Sequence, residues 1–71
     1  MNLHNRTWYP MVRGIVAAAA WLQRWHGEDT IVEEMLTHMG IDKALARKAH
    51  CDDYDMGILK DRWPKISSKK V

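Results

Sequence analysis

Apolar residues recur at helical spacing through the first third of the chain, from Trp8 to Gly27, a stretch that holds three of the four tryptophans. At 100° per residue, one stripe has the spacing of a core-facing helix side. It consists of Met11, Ile15, Ala18, Leu22 and Trp25, with Arg13, Ala17, Ala20 and Arg24 on the opposite side. Leu22, in the middle of this stripe, is predicted to be a core residue.

More apolar residues flank this stripe than one neighbouring helix could cover. They widen the apolar arc beyond half of the helix circumference. These additional residues are Trp8, Val12, Val16, Ala19 and Trp21. The pattern therefore predicts a central helix over residues 8–26 that packs on two sides, with Asn5 or Thr7 as its N-cap and Pro10 in its first turn.

Capping residues predict two further helices. Gly27 and Gly40 suit the left-handed position that ends a helix. Thr30 and Glu33 fit a capping box, which predicts that a second helix begins at Thr30 and covers residues 30–39. Asp42 is a favourable N-cap for a third helix over residues 43–50.

The region between the third helix and Pro64 allows two interpretations. A single helix over residues 43–63 would place Asp52 in the apolar stripe and leave Tyr54 and Ile58 facing outward. A break at Asp52 or Asp53 removes this conflict and predicts a short fourth helix over residues 53–63, which Pro64 ends. We favour the break.

These elements predict an all-α fold, because the sequence contains no alternating strand pattern and no internal repeat. The expected architecture is a small bundle of three to four short helices around a central N-terminal helix. It forms one domain over residues 1–71, with a lead-in over residues 1–7 and a basic tail over residues 64–71. A chain of this size buries only about 60% of its unfolded surface, so a second copy could add stability.

Composition favours a cytoplasmic protein. Cys51 is the only cysteine and cannot form an internal disulfide bond. The apolar run after Arg13 is too short for a secretory core or a membrane span, and Gln23 and Arg24 follow it directly. Neither export nor membrane insertion is expected.

The net charge of +2 conceals three segments of alternating sign. Residues 1–27 carry +3, residues 28–61 carry −5 and residues 62–71 carry +4. Two arrangements follow from this pattern: the basic ends fold over the acidic middle, or an acidic face meets a basic partner.

Histidine and cysteine residues do not form a recognisable metal or catalytic motif. His26, His38, His50 and Cys51 match no zinc-ligand spacing, and His26 and His38 lie near predicted helix ends, where a cation is favourable. His50 and Cys51 are sequence neighbours, which point about 100° apart on a helix, and no third residue orients them. We therefore expect no metal, no cofactor and no enzymatic activity.

Residues 30–50 permit a helix-turn-helix, the alternative in which the protein is a DNA-binding regulator. The second of the two helices would present Lys43, Arg47 and His50 outward for contact with nucleic acid. Bulky Leu36 stands where close helix packing usually requires a small residue. The surrounding segment is also acidic, whereas DNA binding normally needs a concentrated basic face.

The preferred hypothesis is a small non-enzymatic protein that binds another protein and modulates its activity. A compact single-domain chain of this kind suits an accessory regulator or inhibitor, including one carried by a phage or mobile element. The expected contact surface is Gly14, Ala18, Trp21 and Trp25, where small residues permit close approach and indoles provide contact area. This surface is expected to bind a protein partner or to form the seam of a homodimer.

Overall fold

Four α-helices make up the fold of residues 3–64, the part of the chain that the computed structural model describes. They are α1 (Tyr9–His26), α2 (Asp29–Met39), α3 (Lys43–Lys48) and α4 (Asp53–Ile58), and a 3₁₀ turn (Arg6–Trp8) precedes them. The described residues contain no strand, and α1 contacts each of the other three helices. The predicted all-α bundle around a central N-terminal helix is confirmed. Most of the predicted basic tail, residues 65–71, lies outside the described residues, as do residues 1–2.

Local capping residues set several helix ends. Gly27 ends α1 at φ 59° and Gly40 ends α2 at φ 70°, both in the left-handed region. The Asp42 carboxylate accepts a hydrogen bond from the backbone N–H of Leu45 at 2.8 Å and caps α3. Asn5 caps the 3₁₀ turn rather than α1, accepting from the backbone N–H of Thr7 at 2.9 Å.

The start of α2 differs from the predicted capping box. The helix begins at Asp29, and its N-cap residue Glu28 makes no side-chain capping bond, so Thr30 lies inside the first turn. The backbone N–H of Asp29 donates to the carbonyl of Gly27 at 2.9 Å, and its carboxylate accepts from Gln23 at 2.6 Å. These bonds hold Asp29 at the helix start, and the prediction of Thr30 as the cap is wrong.

The helical conformation is interrupted between α3 and α4, and both helices are shorter than the predicted ranges. α3 ends at Lys48, and His50 adopts a left-handed conformation at φ 62°. The backbone N–H of Cys51 donates to the carbonyl of Ala46 at 3.1 Å, closing this helix end. α4 ends at Ile58, and turns rather than helix occupy residues 59–62.

The core lies on a different side of α1 from the predicted stripe. The buried residues of α1 are Val12, Val16, Ala19 and Ala20. From the other elements the core receives Leu3, Val32, Leu36, Ile41, Leu45, Ala46, Ala49, Cys51 and Leu59. The core side of α1 is about 120° around the helix from the predicted stripe at 100° per residue.

The residues of the predicted stripe are half-buried or exposed. Met11, Ile15 and Leu22 are half-buried, while Ala18 and Trp25 are exposed. Ala20, predicted to lie opposite the core, is buried. The physical reason is the size of the side chains, since valine and alanine let neighbouring helices approach α1 more closely than tryptophan and methionine would.

Two arginines connect separate elements. Arg13 of α1 donates to the backbone carbonyl of Ala49 at 2.8 Å and satisfies an orphan carbonyl at the end of α3. Arg62 forms a hydrogen bond and ion pair with Glu33 and lies 3.9 Å from a carboxylate oxygen of Asp29. The beginning of the basic C-terminal segment therefore lies against acidic α2.

Candidate protein-interaction site

The four residues of the expected contact surface share an exposed side of α1, which we call the tryptophan flank (Gly14, Ala18, Trp21 and Trp25). It lies roughly 180° around the helix from the core side at 100° per residue. Trp21 is 55% exposed and Trp25 is 64% exposed. A Cβ atom added at Gly14 would meet nothing within 4 Å. The described part of the chain leaves this face uncovered.

A groove between α1 and α4 adjoins the flank, and we call it the α1–α4 groove. Its volume is about 260 Å³. Its lining is mainly apolar, and Trp21 and Trp25 belong to both the groove and the flank. The other lining residues are Ala17, Ala20, Arg24, Tyr54, Asp55 and Ile58.

Arg24 is held between two aromatic rings of this groove. The central carbon of its guanidinium lies 5.1 Å from the ring centroid of Trp25 and 5.7 Å from that of Tyr54. Both distances are in the range of cation–π contacts, which favour a fixed position of the side chain. No carboxylate among residues 3–64 forms an ion pair with Arg24.

Asp55 provides a negative group in the same groove. Burial raises the pKa of its carboxyl above the ordinary value, and the neighbouring Asp52 raises this pKa further. His26, at the C-terminal end of α1, places its ring 4.7 Å from that of Trp21. The groove therefore combines an apolar surface with one cation and one anion that are not ion-paired with each other.

The residues of the DNA-binding alternative lie on and directly after α3. Lys43, Arg47 and His50 are all exposed. However, α3 contains only six residues, and the two helices of the proposed motif pack mainly on α1 rather than on each other. A shallow, polar surface depression of about 380 Å³ lies at the end of α3 and is lined by Arg47, His50, Cys51, Asp52, Asp53 and Met56. Its carboxylates would repel phosphate.

Cys51 is buried and free of disulfide bonds. Burial raises the pKa of its thiol, Arg13 lowers it by a smaller amount, and Asp55 raises it again. The thiol is therefore protonated at neutral pH, whereas nucleophilic chemistry requires the thiolate. Within residues 3–64, no group of three or more histidine, cysteine, aspartate or glutamate residues is arranged to hold a metal ion.

The sequence prediction of the site included residues of α1 only and did not include the residues of α4 that line the other side of the groove. Tyr54, Asp55 and Ile58 belong to α4, and their contact with α1 depends on how the two helices pack. The sequence does indicate that Arg24 could belong to the site. It lies three residues after Trp21 and directly before Trp25, on a helix that contains no acidic residue to pair with it. Within residues 3–64, no helix combines the length and the apolar character that crossing a membrane requires.

No protein-family model matches this chain, and neither the curated proteins nor the solved structures yield a significant match.

Proposed function

We propose that this protein is a small non-enzymatic binding protein of the cytoplasm. In this proposal it docks another protein on the tryptophan flank and the α1–α4 groove, and thereby modulates the activity of that protein. The supporting observation is that two adjacent indoles on one helix are each more than half exposed. Tyr54 extends the same surface from α4 and is 59% exposed.

The chemistry of this surface favours protein binding. Tryptophan, tyrosine and arginine are the residues most enriched at the energetic centres of protein interfaces. They combine a large contact area with a polar group that can form a hydrogen bond. Gly14 and Ala18 add a shallow strip along which a partner backbone could approach α1 closely.

Affinity capture from native host lysate would test this proposal, with the unmodified protein, Trp21→Ala and Ile31→Ala as baits. Ile31 is a matched control because it is an apolar residue of α2 that is 51% exposed and lies outside the groove. Captured proteins would be identified by mass spectrometry, then purified and titrated against all three baits by calorimetry. We expect Trp21→Ala to weaken binding by about tenfold or more, as hot-spot truncations do, and Ile31→Ala to leave it unchanged. Equal affinities for the three baits would contradict the proposal.

Sedimentation equilibrium decides between a different protein and a second copy of this chain. A twofold interface would use the same flank in both subunits. We expect the unmodified protein to be a monomer at micromolar concentration. A dimer that Trp21→Ala dissociates would identify the flank as a homodimer seam.

A further inference from the structure

We infer that the segment bound in the α1–α4 groove belongs to a protein partner and is both acidic and apolar, with a carboxylate that pairs with Arg24 beside a large apolar side chain. This inference rests on the proposed function and specifies the chemistry of the partner.

Arg24 carries the first step. Its guanidinium is positioned by the rings of Trp25 and Tyr54 and has no carboxylate partner among the described residues. A partner that covers these rings would also remove water from the guanidinium. Because a buried charge without a partner is strongly unfavourable and Asp55 does not pair with Arg24 in this structure, we expect the covering segment to supply an acceptor, and a carboxylate matches the planar donors of arginine best.

The size of the groove indicates what accompanies the carboxylate. Its volume of about 260 Å³ is bordered by Ala17, Ala20 and Ile58, and the indole of Trp21 flanks it. Pockets for small-molecule ligands are usually about 300–1,000 Å³, so this groove suits one or two side chains of a protein segment better than a metabolite. A leucine, methionine or aromatic side chain would fill the apolar part.

The acidic residues of α4 argue against a phosphate-bearing surface. An exposed helix face with tryptophan and arginine could also bind an anionic membrane. However, Asp52, Asp53 and Asp55 lie beside Tyr54, and Asp55 lines the groove itself. These carboxylates would repel lipid headgroups or nucleic acid, which present many phosphates, whereas a peptide segment needs to bring only one carboxylate to Arg24.

The experiment is selection of a random peptide library, displayed on phage, on the immobilised full-length protein. We expect the enriched peptides to contain aspartate or glutamate within four residues of a large apolar residue. One enriched peptide and its variant with glutamine or asparagine at the acidic position would then be titrated against the unmodified protein and against Trp21→Ala, Arg24→Gln and Arg47→Gln. Arg47 is a matched control, since it is an exposed arginine outside this groove. Circular dichroism would show that every variant keeps its helicity.

A double-mutant cycle gives the decisive result. We expect Arg24→Gln to weaken binding by about tenfold, the peptide substitution to weaken it equally, and both together to cause little further loss. Arg47→Gln should change nothing. Independent effects of the two substitutions, or enrichment of basic peptides, would overturn the inference.

Other outcomes separate this inference from the proposed function. If Trp21→Ala abolishes peptide binding while Arg24→Gln does not, the flank still binds protein but the acidic partner is wrong. If no peptide is enriched, or neither substitution matters, both proposals fail. Binding to vesicles of phosphatidylserine and phosphatidylcholine that Arg24→Gln weakens would instead assign the surface to membranes.

Discussion

Small side chains fill the buried side of α1, and the largest side chains lie outside it. Val12, Val16, Ala19 and Ala20 are almost completely inaccessible, whereas Trp21 and Trp25 are largely exposed. Close approach of helices brings many atoms within dispersion distance, so small residues can stabilise a helix interface despite their size. The larger core residues come instead from α2, α3 and the connecting segments, at Leu36, Ile41, Leu45 and Leu59.

Leucine truncations at two positions should therefore differ in their effect on stability. Leu36 is fully buried and Leu22 is half-buried. We expect Leu36→Ala to lower the free energy of unfolding by about 2–5 kcal/mol, the range for buried leucines, and Leu22→Ala to lower it by less. Urea denaturation followed by circular dichroism would measure both. A greater loss for Leu22→Ala would show that the predicted stripe is the true core side.

Cys51 should make the free energy of unfolding depend on pH in the alkaline range. Because burial raises the thiol pKa in the folded state above its unfolded value, the neutral thiol is favoured by folding. Its contribution is complete below the unfolded pKa and is lost as pH rises through the folded pKa. We expect the free energy of unfolding to fall more steeply with alkaline pH in the unmodified protein than in Cys51→Ala, as measured by urea titrations. Identical slopes would contradict this assignment.

The elements show which parts of the fold could be predicted from sequence. Gly27, Gly40 and Asp42 act on backbone groups within a few residues, so the helix ends they set could be read from sequence alone. Thr30 does not cap α2, because the helix begins one residue earlier at Asp29, and the hydrogen bond from Gln23 of the preceding helix to Asp29 is a tertiary contact that the local sequence does not indicate. The early end of α4 at Ile58 also lacked a local signal.

The core side of α1 and the part of the groove that α4 forms could be identified only from the tertiary structure. An apolar arc wider than half the circumference of a helix indicates that more than one side of the helix is buried or available for binding. It does not indicate which side packs against the other helices of the fold. The exposure of the tryptophan flank could be predicted, because α1 carries more apolar surface than the short neighbouring helices can cover. The role of Tyr54 beside Arg24 depends on the packing of α4 on α1, which periodicity does not contain.

The end of α3 contains a conformational strain that one substitution should relieve. His50 is the only residue other than glycine with positive φ among residues 3–64. A left-handed conformation costs an ordinary residue about 1 kcal/mol relative to glycine, so His50→Gly should raise the free energy of unfolding by about this amount. Gly40→Ala, at φ 70°, should lower it by a similar amount, about 1 kcal/mol. Chemical denaturation would compare the two, and a destabilised His50→Gly would show that the imidazole itself is needed.

At the scale of the whole molecule, the charge pattern predicts weak interaction with nucleic acid. The helix-turn-helix alternative relies on Lys43, Arg47 and His50, and Asp52 and Asp53 follow them closely. We expect no measurable binding to duplex DNA at physiological salt, because binding requires several phosphate contacts from a basic face. A gel-shift assay would test this expectation. A sequence-specific shift that disappears in Arg47→Ala would favour the DNA-binding alternative.

The hydrogen bond from Arg13 to Ala49 joins residues 36 positions apart, so the end of α3 depends on α1 for one of its hydrogen bonds. The lengths of the helices indicate the same dependence during folding. α3 and α4 contain six residues each, whereas isolated helices shorter than about 12–15 residues are marginal in water. We therefore expect both to form on an existing α1, so that core substitutions in α1 slow folding and those in α3 or α4 mainly speed unfolding, as stopped-flow kinetics would measure. During synthesis at about 5–20 residues per second, α1 leaves the ribosome some seconds before the helices that complete its core. If α1 forms first in this way, the tryptophan flank is exposed before the helices that complete the core have packed.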